Sequence, residues 1–349
     1  MTTPVFKQYA EAKAAHPDEI LFFRMGDFYE MFYEDARIAN RVLGLALTAR
    51  SKEPDAPPMA GVPYHQKDAY IAKLIRAGYK VAVCEQVEDP KLAKGLVKRE
   101  VVQVVSAGTV MSDALLTENE PNYLLAAVPN GDKAALAWVD LSTGSFETAD
   151  TPLGRISDDV SRVAPAEILI PENLLHANPD FVSRLKSAAP RATITPRPDW
   201  TFEKRTSERV LTEHFGTATL SGFGYTGEEP VIRAAGAALS YLRDTQGSGL
   251  AHIAAIRPFS AGKVLKLDRA TRMSLELVET MRERGRAGSL LDILDRTRTP
   301  MGARLLREWV LSPLARLDDI LDRQAGVAEF FENRAMLERL QKCLKNISD

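Results

Sequence analysis

The feature that most constrains the fold of this chain is a change of pattern near residue 257. Before this point, short apolar runs alternate with amphipathic segments of helical spacing, which predicts mixed α/β domains. After it, helical spacing continues without β-branched runs, which predicts an all-α region. A chain of 349 residues exceeds one ordinary domain. We therefore expect a multidomain α/β plus α fold, with α/β domains at residues 1–115 and 121–250 and the beginning of an all-α domain at residues 256–349.

The first region shows the alternation most clearly. Its predicted helices are residues 4–15, 29–43 and 65–77, the last ended by a glycine at position 78. Its predicted strands are residues 20–23, 45–48, 79–84 and 101–105. Residues 51–63 carry four prolines, which predicts a loop.

The second region begins with a hairpin pattern. Its predicted strands are residues 123–128, 134–141, 145–148 and 167–171, with a glycine-containing turn at residues 142–144. Residues 189–200 are predicted to be irregular, residues 231–244 a helix, and residues 245–249 a linker. The predicted helices of the third region are residues 268–282, 290–294, 302–311, 317–331 and 333–344.

The stretch RMGDFYEMF at residues 24–32 contains three aromatic side chains within five residues. The helical spacing that follows predicts a strand-to-helix junction at Gly26 and Asp27, with Asp27 as the helix N-cap. Aromatic side chains at a helix start are usually core anchors, and this interpretation suits Tyr29 and Phe32.

Phe28 and Glu30 fit the core-anchor interpretation less well. They lie at the tip of the predicted junction, and side chains at such tips face solvent more often than core. The sequence therefore marks these two residues as candidates for a function.

Familiar catalytic patterns are not found in the sequence. A phosphate-binding P-loop needs glycines flanking four residues and then Lys-Ser or Lys-Thr, whereas the nearest pair, Gly262-Lys263, is followed by valine. Two cysteines and five scattered histidines do not form a zinc pattern. We expect no catalytic residues, no metal site and no cofactor in this chain, and we expect that it is not an enzyme.

Asp140 offers an alternative, because DLSTG at residues 140–144 looks like the opening strand of ribonuclease-H-like nucleases. Such chemistry requires several carboxylates that converge on metal ions. Only Asp150, Asp158 and Asp159 are close in sequence, so a turn-forming role for Asp140 is favoured over a metal-dependent nuclease.

The net charge of −2 excludes a globally basic nucleic-acid-binding protein, so any contact with phosphates must be local. A loop around residue 95 holds the best local cluster of basic side chains, namely Lys91, Lys94, Lys98 and Arg99. Lys94 and Lys98 are therefore candidates for phosphate contacts.

Cysteine usage and hydropathy bear on localisation. Cys84 lies in an apolar run far in sequence from Cys343, which predicts free thiols in a reducing compartment. No apolar run approaches the roughly 20 residues of a membrane helix, and the N-terminus lacks a signal-peptide pattern. We expect a cytoplasmic protein without a membrane partner.

Several motifs together resemble the MutS family of bacterial DNA mismatch-recognition proteins. They are MGDFYE (25–30), PMAGVPYH (58–65), VCEQVEDP (83–90), KGLVKRE (94–100), GSLL (288–291) and TPMGARLL (299–306). One departure is SAGT at residues 106–109, where the family more often has Thr-Pro-Gly-Thr.

The resemblance implies an N-terminal mismatch-binding domain, a ribonuclease-H-like connector domain and the start of a helical core or lever domain. It implies that Phe28 wedges beside a mispaired base from the minor groove and that Glu30 hydrogen-bonds that base. Met25, Asp27 and Lys67 would be scaffold or DNA-neighbouring residues.

The resemblance also implies partners, cofactors and association with the nucleoid. The partners would be double-stranded DNA with mismatches or small insertion/deletion loops, a second copy of the chain, and the repair protein MutL. ATP and Mg²⁺ would be the cofactors of the full-length family, whose P-loop ATPase has no counterpart before Asp349, so we expect an N-terminal portion of such a protein. A module that only binds other proteins is a third interpretation.

Overall fold

The computed structural model describes residues 3–49, 56–88, 95–111, 120–227, 229–247, 249–260, 262–345 and 347. These residues form a first unit up to residue 111, a second unit from residue 120 to residue 260, and a helical segment from residue 262.

The first unit is a six-stranded mixed sheet with helices on both faces. Its strands are β1 (Ile20–Met25), β2 (Phe28–Phe32), β3 (Thr48–Ala49), β4 (Pro58–Pro63), β5 (Val81–Gln86) and β6 (Arg99–Val105), in the order β3-β4-β2-β1-β5-β6. Its helices are α1 (Pro4–Ala15), α2 (Tyr33–Leu43) and α3 (Lys67–Arg76). β1 pairs in parallel with β5 and antiparallel with β2. Because side chains alternate along a strand, α1 packs on one face and α2 and α3 pack on the other.

Several predictions in the first unit are wrong. Residues 29–32 are the strand β2 and not a helix, because a two-residue turn at Gly26 and Asp27 reverses the chain into an antiparallel hairpin. Asp27 therefore lies in a hairpin turn and caps no helix, and α2 begins only at Tyr33.

The loop predicted at residues 51–63 is also wrong, because its last six residues form β4. The strand carries prolines at its ends, where a missing N–H is best tolerated. Residues 51–55 lie outside the described residues. Of the strand predicted at residues 45–48, only Thr48 is in a strand, namely β3.

The second unit is another six-stranded sheet covered by helices on both faces. Its strands are β7 (Tyr123–Asn130), β8 (Lys133–Asp140), β9 (Ser145–Pro152), β10 (Glu167–Pro171), β11 (Thr193–Arg197) and β12 (Arg257–Pro258), in the order β11-β10-β7-β8-β9-β12. Its helices are α4 (Ile156–Val163), α5 (Leu174–Ala177), α6 (Pro179–Ala188), α7 (Lys204–Phe215) and α8 (Val231–Gln246). The helices α7 and α8 cover one face, and α4 and α6 cover the other.

The predicted hairpin is confirmed by the antiparallel pairing of β8 with β9, and the predicted helix at residues 231–244 is confirmed as α8. Residues 193–197, predicted to be irregular, instead form β11 beside β10. The predicted linker is wrong for Thr245 and Gln246, which are buried in the last turn of α8.

The helical segment contains α9 (Arg269–Ser274), α10 (Leu290–Leu294), α11 (Pro300–Leu311), α12 (Leu317–Glu332) and α13 (Arg334–Leu344). The last four confirm their predicted helices within a few residues. The helix predicted at residues 268–282 is wrong after Ser274, where Glu276 has a φ of 47° that breaks the helix. Among the described residues, no helix combines the length and the apolar character needed to cross a bilayer.

Candidate functional site: the β1–β2 hairpin

The hairpin formed by β1 and β2 projects one aromatic side chain into solvent. Gly26 has a φ of 60°, a conformation that glycine adopts without strain, and Met25 pairs with Phe28 across the turn. The side chain of Phe28 is 48% exposed, whereas Tyr29 is 1% exposed. The alternation that buries Tyr29 therefore directs Phe28 to the opposite face of the sheet.

Glu30 lies on the same face of β2 as Phe28, two residues further along. It pairs with Phe23 on β1 and with Gly61 on β4, and it is half-buried. Phe32 is the next residue on this face, but it is covered by Phe6 of α1 at a ring distance of 5.0 Å. The helix α1 thus covers the far end of the face and leaves the end with Phe28 open.

The other face of the hairpin is anchored by a charged network around Glu85. The Tyr29 hydroxyl donates to Glu85 Oε1, and Arg24 Nη1 lies 3.9 Å from Glu85 Oε2. Burial, together with the Glu85 carboxylate, raises the pKa of Tyr29 above its ordinary value, so the phenol stays protonated and remains a donor. This network links β1, β2 and β5 beneath the exposed Phe28.

Arg24 also connects the hairpin to its neighbours. Its guanidinium stacks on the Tyr64 ring at 4.2 Å, and its Nε donates to the Gly26 carbonyl oxygen at 2.5 Å. The Tyr64 amide in turn donates to the Asp27 carbonyl oxygen at 2.9 Å. The two-residue turn is therefore held by hydrogen bonds from both sides.

The structure brings together most of the residues predicted for the site. Phe28, Glu30, Met25 and Asp27 all belong to the hairpin, with Met25 half-buried against the core beneath α1 and Asp27 exposed in the turn. Lys67 also lies near the hairpin, but on its anchored face, with Nζ 3.8 Å from Glu85 Oε1.

The predicted basic cluster has a different arrangement. Lys91 and Lys94 lie outside the described residues. Lys98 is exposed and pairs with Glu100, which raises the pKa of the lysine. Arg99 is directed inward, because its Nε donates to the Arg24 carbonyl oxygen at 2.7 Å and its guanidinium lies over the Phe23 ring.

Arg24, Glu85 and Tyr64 received no role from the sequence, although all three belong to motifs singled out there. If residues 28–32 are assigned to a strand, the antiparallel register places Tyr29 opposite Arg24. This assignment would have indicated that these two residues interact.

Asp140 forms a turn, as favoured above. Its Oδ1 accepts hydrogen bonds from the Ser142 amide at 2.9 Å and from the Ser142 hydroxyl at 2.7 Å. Asp150 instead pairs with Lys133, and Asp159 accepts from Thr151. Across the described part of the chain, no three His, Cys, Asp or Glu side chains are grouped so as to hold a metal ion.

Comparison with known proteins agrees with the motif resemblance. Models of the MutS family match the chain in three parts: MutS domain I at residues 3–114, MutS domain II at residues 122–254 and MutS domain III at residues 270–349. One relative named DNA mismatch repair protein MutS occurs in Rhodopirellula baltica and is 43% identical over 99% of this chain and 41% of the relative. Another of the same name occurs in Lachnoclostridium phytofermentans and is 40% identical over 99% of this chain and 37% of the relative. The chain thus spans about two fifths of the length of these relatives. The chain belongs to the MutS family and corresponds to its domains I, II and III.

Proposed function

We propose that the first unit detects mispaired or unpaired bases in double-stranded DNA by inserting Phe28 from the minor groove. The observation that carries this proposal is a large aromatic side chain, 48% exposed, at the tip of a hairpin whose other face is anchored by Glu85. Single exposed aromatics are common on protein surfaces. Phe28 is held on a rigid turn, so little conformational entropy is lost when its ring is inserted into a partner.

The energetics of DNA deformation explain how such a wedge discriminates. Inserting an apolar ring between base steps costs a few kcal/mol of unstacking and kinks the duplex. A mispaired or unpaired base is already poorly stacked, so the same insertion costs less there. Discrimination by the ring therefore depends on the deformability of the duplex and does not require recognition of the base sequence.

Glu30 adds a second element of discrimination. It lies two residues from Phe28 on the same face of β2, so both side chains reach the same side of an inserted base step. The Glu30 carboxylate is repelled by the DNA phosphates, which weakens binding to ordinary duplex DNA. At a mispair, a hydrogen bond to an accessible base nitrogen offsets this loss of affinity.

The remaining residues of the predicted site have supporting roles in this proposal. Met25 and Asp27 shape the turn that carries Phe28. Lys67 balances the Glu85 carboxylate on the anchored face. Lys98, which is exposed, contacts DNA phosphates together with Lys94, which lies outside the described residues.

The test is a competition binding assay with a G·T-containing duplex and the matched homoduplex. We expect Phe28→Ala to reduce the preference ratio to about one, because the unstacking difference no longer contributes. Glu30→Gln should reduce the ratio by a smaller factor, since the wedge remains. The salt dependence of binding should be unchanged in both variants, because it reports phosphate contacts.

Trp200→Ala is the matched control, because this tryptophan is 55% exposed but belongs to the second unit. It should retain the full preference. A Phe28→Ala variant that keeps the wild-type ratio would refute the wedge assignment, and a wild-type chain without any preference would refute mismatch detection by this chain.

For the whole protein we propose action in DNA mismatch repair as a homodimer that uses ATP and Mg²⁺ and acts with MutL. Membership of the MutS family supports this proposal, as does the name DNA mismatch repair protein MutS that its relatives carry. We also propose that the second unit is the ribonuclease-H-like connector. The antiparallel strands β7, β8 and β9, extended by the parallel strands β10 and β11, support that assignment.

A further inference from the structure

A buried carboxylate lies where the first unit meets the second. Glu167 is the first residue of β10, and its side chain is completely buried. Its Oε1 accepts hydrogen bonds from the Tyr241 hydroxyl at 2.9 Å and from the Thr195 hydroxyl. Its Oε2 accepts from the Gly108 amide at 2.9 Å and from the Ser106 hydroxyl.

The donors to Glu167 come from both units. Thr195 and Tyr241 belong to the second unit, on β11 and α8, whereas Ser106 and Gly108 belong to the turn that follows β6 in the first unit. The first unit also supplies a cation, because Lys80 Nζ lies 3.4 Å from Glu167 Oε1. One carboxylate therefore joins the strand β10 to two separate segments of the first unit.

The turn at residues 106–109 is shaped for this contact. The Thr109 hydroxyl accepts from the Ser106 amide at 2.9 Å, and the Thr109 amide donates to the Ser106 carbonyl oxygen at 3.1 Å. A Cβ added at Gly108 would lie 2.8 Å from Glu167 Cβ and 2.9 Å from Leu124 Cδ1. A side chain at this position would thus separate the two units.

Other polar contacts surround the carboxylate. Lys80 Nζ donates to the Tyr241 hydroxyl at 3.2 Å, and Gln103 Nε2 donates to Gln246 Oε1 at 2.9 Å. Gln246 Nε2 also donates to the Val104 carbonyl oxygen at 3.3 Å. The junction therefore depends on specific hydrogen bonds, whose directions fix the relative orientation of the two surfaces.

We propose that Glu167 is a positioning residue that fixes the orientation of the first unit, and with it the Phe28 hairpin, on the second unit. A buried carboxylate is strongly disfavoured unless donors surround it. Four of the five groups around Glu167 donate hydrogen bonds to it, and the fifth, Lys80, supplies a positive charge. The three groups of the first unit are lost together when that unit turns away. The two units are consequently either docked with all of these contacts or separated without them, and the docked orientation resists small displacements.

The first test measures the distance between the units directly. Spin labels at Arg37→Cys on α2 and Arg209→Cys on α7, in a Cys343→Ser background, place one label on each unit at exposed positions. Double electron–electron resonance should give one narrow distance distribution for this reference chain. Glu167→Gln keeps the side-chain volume but replaces an acceptor oxygen with an amide, so the distribution should broaden and shift.

Variants of the donors separate a junction role from a merely structural one. Ser106→Ala and Lys80→Met remove donors of the first unit and should broaden the distribution, whereas Ser106→Thr keeps the hydroxyl and should restore it. Thr195→Val removes a donor within the second unit and should leave the distribution narrow. Lys80 is partly exposed, so Lys80→Met tests the inference even if Glu167→Gln prevents folding.

Unchanged distributions in Ser106→Ala and Lys80→Met would overturn the inference. Equal broadening in Thr195→Val would also overturn it, because the orientation would then depend on the packing of the second unit and not on the donors of the first unit.

The second test rests on the proposed function and uses the same variants in the G·T competition assay. Glu167→Gln should lower the preference by about fivefold or more, within the usual range of coupling between sites. Broadened distances with an undiminished preference would refute the positioning role. If Phe28→Ala has no effect on the preference ratio, the proposal that Phe28 detects mismatches is refuted. The distance measurements still test the role of Glu167 in that case.

Discussion

At the scale of single residues, the two cysteines have contrasting environments. Cys84 lies in β5, the strand that pairs with β1, and its side chain is completely buried, whereas Cys343 on α13 is exposed. Burial raises the pKa of the Cys84 thiol to about 12, and the opposing effect of the nearby Arg99 is smaller. The thiolate is the reactive form of cysteine, so Cys84 should be inert in the folded protein.

We predict that iodoacetamide alkylates Cys343 in the native chain and leaves Cys84 unmodified until the first unit unfolds. Raising the pH from about 7 to 9 should not accelerate modification of Cys84 in the folded state, because its raised pKa keeps the thiol protonated, while an unfolded cysteine titrates near 8.5. Peptide mapping by mass spectrometry measures both sites in one sample. Comparable alkylation rates at the two cysteines would contradict this prediction.

The raised pKa has a further consequence for stability. Because the folded state keeps a proton that the unfolded state releases above about pH 8.5, the contribution of Cys84 to stability is complete below that pH. It is lost as the pH rises toward about 12.

At the scale of secondary-structure elements, α7 and α8 pack closely through a glycine. A Cβ added at Gly236 of α8 would lie 2.3 Å from Ser207 Cα on α7. Backbone atoms lie on both sides of this contact, so neither helix can yield by changing a rotamer. Glycine at this position therefore permits the close approach of the two helices over the core of the second unit.

We predict that Gly236→Ala lowers the free energy of unfolding by about 1–3 kcal/mol, the usual cost of overpacking. Gly326→Ala is the matched control, because Gly326 lies within α12 and an added Cβ there has nothing within 4 Å. This control should raise the stability by about 0.5–1 kcal/mol, since alanine favours helix. Urea unfolding followed by circular dichroism measures both, and an unchanged midpoint in Gly236→Ala would refute the close-packing argument.

The hairpin shows at this scale why local patterns mislead. Phe32, Ala36 and Ala39 return at helical spacing, so the helix was predicted to begin at Tyr29. Residues 28–32 nevertheless form a strand, because they pair with β1 and β4, and Phe28 and Glu30 are consequently less buried than Tyr29 and Met31. The backbone hydrogen bonds of β2 depend on β4, about 30 residues away, and no window around residue 29 contains that partner.

At the scale of the whole molecule, the helical segment differs from the two α/β units in burial. Within the described residues, α12 and α13 bury no side chain. Phe331 on α12 is 71% exposed, whereas Leu291 on α10 is 3% exposed and packs with Leu277 and Val310. Exposed apolar surface of this kind promotes association between molecules.

We predict that Phe331→Gln reduces self-association of this chain while changing its free energy of unfolding by no more than about 0.5 kcal/mol. Leu291→Gln should instead lower stability by about 2–4 kcal/mol, because it removes core packing and buries an amide. Sedimentation velocity and urea unfolding measure the two effects. A large loss of stability in Phe331→Gln would show that the exposed ring contributes to folding.

Local sequence patterns are sufficient to identify the three-part pattern, the helices α1, α3 and α8, the β8–β9 hairpin, and the separation of Phe28 and Glu30 from the core residues Tyr29 and Phe32. These features follow from local spacing, turn residues and motifs, which a short window contains. The folded chain is needed to show that residues 29–32, 58–63 and 193–197 are strands and that Glu167 joins the two units. A strand and a buried carboxylate both depend on partners from distant parts of the chain, and those partners are identified only when the chain is folded.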